Sequence, residues 1–141
     1  MKQSELENAM YQNASMCCSA IKQVLPKVQN GKLKNELSHQ LGEYRNEINS
    51  VVSSMHRENN RPVQAPLLKR AMSKAGIALS LARDNSSEHI SQMMIQGTNM
   101  GIIEINRALN SAKDLSPQTA KLAKSLLNKE QQHIDSLKRY L

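Results

Sequence analysis

One stretch in the first half of the chain constrains the fold more than any other. From residue 33 to residue 55, apolar side chains recur every three or four positions, which keeps them on one side of an α-helix. These residues are Leu33, Leu37, Leu41, Tyr44, Ile48, Val51 and Met55. A seam of this length must be covered by other helices, so the pattern predicts a long helix within a helical bundle.

The composition agrees with an all-α fold. The 141 residues include no Trp, no Phe and three Tyr, so the apolar mass comes from Leu, Ile, Val, Ala and eight Met. Five Gly and four Pro are too few for the many turns of a β-sandwich or barrel, and runs of β-branched and aromatic residues are missing. The length fits one domain, residues 1–141.

Breaks in the apolar pattern divide the chain into five predicted helices. Ser4 and Glu7 have the spacing of a capping box, so a helix is expected to begin near residue 4. Pro26 should end or kink this helix, and Asn30 with Gly31 supplies a stop. The helices are expected at about 4–29, 33–56, 66–83, 87–112 and 117–141.

The longest interruption separates the second predicted helix from the third. The stretch from Arg57 to Pro66 also contains Pro62 and cannot continue a helix. The apolar residues of the helix that follows are Leu67, Leu68, Met72, Ala75, Leu79 and Ala82. This helix and its lead-in are long enough to return the chain to the far end of the second helix. We therefore expect an up-down-down-up bundle of four long helices with one crossover helix, and a plain up-down bundle of five helices is the alternative.

Polar residues interrupt the apolar seams at one level of this bundle. Glu130 lies on the seam of the last helix, and His133 follows on the same face with Glu-x-x-His spacing. The residues expected within one or two turns of this layer are Glu43, Glu47, Glu104, Glu130 and His133, with Asn13 level with them. A buried charged carboxylate costs several kcal/mol, so such groups should be paired, hydrogen-bonded, metal-bound or protonated.

These helices and residues resemble the ferritin-like superfamily, and in particular its small uncharacterised bacterial members. The features that carry the resemblance are the crossing connection, Glu104, and Glu130 with His133 and Ile134. The resemblance implies a metal site in which the first and third long helices each contribute one Glu. The second and fourth long helices each contribute a Glu-x-x-His. This sequence departs from that pattern: Asn13 replaces the first Glu, Asn46 stands in place of a His after Glu43, and an intact Glu36-x-x-His39 lies off the seam.

The leading interpretation is a non-catalytic structural or interaction protein with a degenerate carboxylate and histidine layer that is a candidate metal site. The alternative is a metal-dependent oxidoreductase or iron-handling protein that uses iron or manganese. In it Glu104 and Glu130 would bind the metal, His133 would be a nitrogen ligand, and Glu43 or Glu47 would complete the shell. No nucleophile triad, phosphate loop or dinucleotide motif identifies a small-molecule substrate.

The formal net charge of +7 suggests an acidic partner, such as nucleic acid or an anionic surface. A second alternative is therefore a basic DNA-protecting bundle, although the stacking aromatics that favour single strands are absent. The cations that would contact phosphates are Lys121, Lys124, Lys129, Lys138 and Arg139. No apolar run reaches the roughly 18 residues of a membrane span, so no membrane partner is expected.

Two further features concern compartment and assembly. Cys17 and Cys18 are adjacent on a helix, where their side chains diverge, so a reduced, cytoplasmic setting is expected. A Met- and Gly-rich face on the fourth predicted helix would either pack in the core or form a homodimer contact. Its residues are Met93, Met94, Gly97, Met100 and Gly101.

Overall fold

The structure, a computed structural model, describes residues 3–141, and this part of the chain is all helical with no strand. The all-α prediction is confirmed. The helices are α1 (Gln3–Val24), α2 (Gly31–Arg57), α3 (Leu67–Arg83), α4 (Ser87–Ser111) and α5 (Pro117–Leu137). Short 3-10 turns follow α1 at Leu25–Lys27 and α5 at Lys138–Tyr140.

Capping residues fix the helix ends. Proline within the 3-10 turn Leu25–Lys27 ends α1 early, as expected. Asn30, predicted as a stop for the first helix, instead begins the second: its side-chain oxygen accepts hydrogen bonds from the backbone N–H of Lys32 at 2.9 Å and of Leu33 at 3.1 Å. The side chains of Ser86 and Ser116 cap α4 and α5 in the same way.

The predicted capping box at the start of α1 is wrong. Ser4 already lies within the helix, and the Glu7 side chain is fully buried. One Glu7 carboxyl oxygen accepts a hydrogen bond from the Ser54 hydroxyl at 2.8 Å, and the other accepts one from the Asn60 amide at 3.3 Å. Glu7 therefore joins α1 to the end of α2 instead of capping its own helix.

Four helices enclose an interior that is divided into two apolar clusters. α1 contacts α2 and α4, and α5 also contacts α2 and α4. The first cluster consists of Leu6, Met10, Val51, Met55, Ile105, Ala108, Ala123 and Leu126. The second includes Ala14, Ile21, Val24, Leu33, Leu37, Tyr44, Ile90, Met94 and Leu137. The beginnings of α1 and α5 therefore meet the later halves of α2 and α4, so α1 and α5 run opposite to α2 and α4.

α3 lies outside this group, along α1. The segment before it is tied to the early part of α1, since the Gln12 amide donates to the Val63 carbonyl at 2.9 Å. Farther along, the Gln23 amide donates to the Lys74 carbonyl at 2.8 Å. α3 therefore runs in the same direction as α1, and Leu81 is its one buried residue.

The face of α4 that was expected to be soft is divided between interior and solvent. Met94 and Gly101 are buried, whereas Gly97 is exposed and Met100 is 64% exposed. Core packing thus describes one part of this face, and a homodimer contact through Met100 stays a prediction. Among residues 3–141, no helix combines the length and the apolar character that a membrane span needs.

A buried polar layer as the candidate functional site

The centre of the polar layer is the carboxyl group of Glu130 on α5. Its side chain is fully buried between the two apolar clusters. One oxygen accepts a hydrogen bond from the Asn13 amide of α1 at 2.5 Å, and the other accepts one from the Tyr44 hydroxyl of α2 at 2.6 Å. A single side chain thus connects three helices.

The fourth helix provides space for this arrangement. Gly101 of α4 faces Asn13 so closely that a Cβ atom at position 101 would clash with the Asn13 side chain. A glycine is needed here for the close approach and not for an unusual backbone angle, because its φ is negative. α4 therefore contributes room for the Asn13 amide and no ligand of its own.

Burial dominates the acid–base behaviour of Glu130. Removal from water raises the pKa of its carboxyl to about 7, although the hydrogen bonds from Tyr44 and Asn13 favour the charged form. The carboxyl group therefore holds its proton to a much higher pH than an exposed glutamate does. The two hydrogen-bond donors stabilise the charged carboxylate, whereas burial stabilises the protonated acid.

A second buried carboxyl, that of Glu47 on α2, lies near the first. Glu47 is 2% exposed, and its Oε1 has no hydrogen-bond partner among the described residues. Burial and the nearby Glu130 carboxyl raise the pKa of Glu47 to about 8, while Lys129 opposes the shift. At neutral pH Glu47 is mainly a neutral acid.

His133 lies one turn from Glu130 and is 4% exposed. Its Nε2 is 3.3 Å from a carboxyl oxygen of Glu43, and its ring packs edge-on against Tyr44 with centroids 4.9 Å apart. Its Nδ1 has no hydrogen-bond partner within residues 3–141. Burial lowers the pKa of His133, and Glu43 opposes the shift. Glu43 is 25% exposed and also contacts His39, so it marks the edge of the layer.

The two cysteines are buried free thiols. Burial raises the pKa of Cys17 well above its usual value, and the nearby Glu130 carboxyl raises it further. The pKa of Cys18 is also raised, chiefly by burial. Because the thiolate is the reactive form, both groups are poor nucleophiles in this setting.

The structure brings together four of the five predicted site residues and separates the fifth. Glu47, Glu130 and His133 are buried, and Glu43 touches His133 at the edge. Glu104 does not join them: its side chain is 52% exposed, and Oε1 lies 3.7 Å from Lys69 Nζ on α3. The expectation that Glu104 faces the interior is wrong.

The error at Glu104 has a simple geometric cause. Stepping from Gly97 to Gly101 and then by three positions puts residue 104 on the seam. The residues that are actually buried along α4 are Ile90, Ser91, Met94, Thr98, Gly101, Ile105 and Ala108. Both paths pass through Gly101, and the helical period of 3.6 residues permits either.

Several buried polar residues were not predicted as part of the interior, and Glu7 and Gln40 are the largest of them. Glu7 was assigned to a cap. Gln40 is fully buried, and its amide donates to the backbone carbonyl of His133 at 3.3 Å. Gln40 precedes the seam residue Leu41, and this position was the one sequence feature that could have indicated its burial. Asn13 and Tyr44 were recognised as inward-facing because they occupy seam positions.

The residues of the layer do not fit the metal centre that the resemblance implies. Both oxygens of Glu130 already accept hydrogen bonds from protein donors. Asn46 and His39 are exposed, and Glu36 is near Gln40 instead of near Glu130. In the part of the chain that the structure describes, no three His, Cys, Asp or Glu side chains are arranged to hold one metal ion.

Comparisons with known proteins add no family, so only the fold and the site describe the class of this protein. No protein-family model, no curated protein and no solved structure matches this chain significantly. What the geometry defines is a helical protein with a hydrogen-bonded acidic layer in its interior.

Proposed function

We propose that this chain is a non-catalytic structural or interaction protein, and that its buried polar layer sets the register of the helices. The observation that carries the proposal is the bonding of Glu130, whose two oxygens are each taken by a donor from a different helix. A group held in this way links its neighbours, and each of its oxygens already has a protein donor.

The proposal includes a ferritin-like, up-down-down-up arrangement with α3 as the crossover. Its support is the order of contacts, in which α1 and α5 each touch α2 and α4. Further support comes from the opposite direction of α2 and α4 relative to α1 and α5, and from a long connection that carries α3.

Register is the physical role that this layer serves best. If one helix slipped by a residue, Glu130 would lose Asn13 or Tyr44 and remain buried. An unpaired buried carboxylate costs several kcal/mol, whereas apolar contacts on either side tolerate small shifts. Buried polar groups can in this way fix one alignment of the helices, because any other alignment leaves them unpaired.

One observation favours the metal-binding alternative. Among the described residues, His133 Nδ1 and Glu47 Oε1 are buried without hydrogen-bond partners, so an ion would find both atoms free. A third ligand would have to come from Glu130, whose oxygens already accept hydrogen bonds from Asn13 and Tyr44. The DNA-protecting alternative rests on exposed cations such as Lys121, Lys124 and Lys138, and its signature is affinity that falls steeply with salt.

Elemental analysis of protein purified without chelator tests the proposal. We expect far less than one metal per chain, before and after incubation with Fe(II) or Mn(II). Glu130→Gln keeps the size of the side chain and removes the anion, and Glu104→Gln is the matched exposed control. One metal per chain that is lost in Glu130→Gln and kept in Glu104→Gln would overturn the proposal.

A further inference from the structure

The outer face of α3 is apolar and uncovered. Leu67, Leu68, Met72 and Leu79 are 73%, 71%, 66% and 56% exposed. The smaller residues on the same side are Ala71, Ala75, Ala78 and Ala82, all exposed. At 100° per residue these eight side chains occupy an arc of about 140°, so they form one continuous face. A contiguous exposed face of this kind marks an interaction site more often than chance.

The side of α3 that meets the bundle is mixed in character. Ser73 and Ser80 lie on this side, and Ile77 and Leu81 are its main apolar contacts. The cleft between α1 and α3 is lined by polar residues such as Gln12 and Ser19 and by apolar residues such as Met16 and Ala20. A crossover helix that only completed the core would place its apolar face inward. In α3 the larger apolar face instead points to solvent.

The charge of the segment is uniformly positive. Between Glu58 and Asp84 there is no acidic residue. The cations of this segment are Arg61, Lys69, Arg70, Lys74 and Arg83. On the helix, Lys74 borders one edge of the apolar face, and Arg83 with Lys69 borders the other. Long basic side chains at such edges place their charges at an anionic boundary while their stems cover apolar surface.

We propose that α3 docks the protein on the surface of an anionic lipid bilayer, with the helix lying in the plane of the interface. Leu68, Met72 and Leu79 enter the boundary between headgroups and acyl chains, and Lys74 and Arg83 meet the lipid phosphates. Lys69 is paired with Glu104 of α4. This inference rests on the proposed function, because it names the partner of an interaction protein. It concerns a peripheral contact and departs from the expectation of no membrane partner, which was drawn from the lack of a spanning segment.

The shape and charge of α3 favour lipid over other occupants. The apolar face is a convex ridge, and a fluid lipid surface adapts to a ridge without a preformed groove. A second copy docked through the same face would bring the bordering cations Lys74 and Arg83 of both copies together, which is unfavourable. An acidic protein would need a groove of matching length with carboxylates along both rims.

Sedimentation with lipid vesicles tests this docking with the full chain. We expect binding to vesicles of equal parts phosphatidylglycerol and phosphatidylcholine, little binding to pure phosphatidylcholine, and weaker binding in high salt. Leu68→Ser with Met72→Ser should lower the partition coefficient about tenfold or more, because both side chains lose apolar burial. Lys74→Gln with Arg83→Gln, which removes one exposed cation at each edge of the face, should lower it by a similar factor.

Two control variants match these changes away from α3. Leu141→Ser replaces an equally exposed apolar side chain, and Lys121→Gln with Lys124→Gln removes two exposed charges from α5. Both should bind vesicles as the unaltered protein does. Circular dichroism should show the same helix content in all variants, since every altered side chain is exposed.

Three results would overturn the docking proposal. The first is no binding to anionic vesicles, and the second is an equal loss of binding in the α5 control. The third is a dimer in light scattering that becomes monomeric with Leu68→Ser and Met72→Ser, which would assign the face to a second copy. Glu130→Gln should bind vesicles as the unaltered protein does. The vesicle experiment can therefore overturn the docking proposal without affecting the proposed function, which the metal experiment tests.

Discussion

The polar layer and α3 depart from the usual sorting of side chains in opposite directions. In the layer, polar groups such as Glu130 are buried, and hydrogen bonds from Asn13 and Tyr44 compensate within the chain. On α3, apolar groups such as Leu68 are exposed, and nothing in residues 3–141 covers them. The comparison teaches that the first departure is a matter of stability and the second a matter of binding.

The largest expected effect is a loss of stability between pH 6.5 and 8.5. The raised pKa values of Glu130 and Glu47 mean that the folded protein holds protons that the unfolded chain has released. Stability therefore falls as pH rises through these values, by about 2 kcal/mol or more. Urea unfolding across this range measures the slope.

Matched variants assign this slope to the layer. Glu47→Gln combined with Glu130→Gln should flatten it, and the exposed Glu104→Gln should leave it unchanged. His133 does not compete within this window, because burial lowers its pKa and the resulting gain in stability is complete near pH 6.5. A flat profile in the unaltered protein would mean that the layer does not hold the buried protons.

An intermediate effect is expected from a pair of glycines on α4. Gly101→Ala should push the Asn13 amide away from Glu130 and destabilise the fold by about 1–2 kcal/mol. Gly97→Ala meets no neighbouring atom and should stabilise α4 by about 0.5–1 kcal/mol through helix propensity. Equal effects in urea unfolding would show that the contact between Gly101 and Asn13 does not matter.

The smallest expected change in stability lies on α3. Leu68→Ser and Met72→Ser should alter the free energy of unfolding by no more than about 0.5 kcal/mol each, because both side chains are already exposed. Thermal unfolding of the single variants checks this. A loss above about 2 kcal/mol would mean that these side chains are covered in the folded protein, and the contrast with the layer would disappear.

Local sequence signals predicted most of the helix ends. Pro26, Pro62 and Pro66 interrupt helices wherever they occur, since proline lacks the N–H donor and fixes its backbone angle. Asn30 was predicted to end the first helix, but it caps the start of the second. The sequence alone did not show which of the two helices it caps. Ser4 and Glu7 matched a motif that the structure does not form.

The interior layer was predictable where a polar residue replaced an apolar one on a well-defined seam. Glu130 and Asn13 met this condition, and Tyr44 was placed by its seam position. Asn13 and Tyr44 each donate a hydrogen bond to Glu130. Glu104 did not meet the condition, because two stepping paths along α4 share Met94, Gly101 and Ala108 and differ at the positions between them. The choice between them depends on how α4 is rotated against α1, which is a property of the packed bundle.

By itself the sequence determined that this protein is helical and which residues line each helix face. Helix formation and periodicity depend on neighbours within a few positions, so the pattern is sufficient for them. Only the tertiary structure decided which faces are covered. The apolar side of α3 could have closed the core, but the rotation of α3 on α1 leaves it in water, because long-range contacts set that rotation.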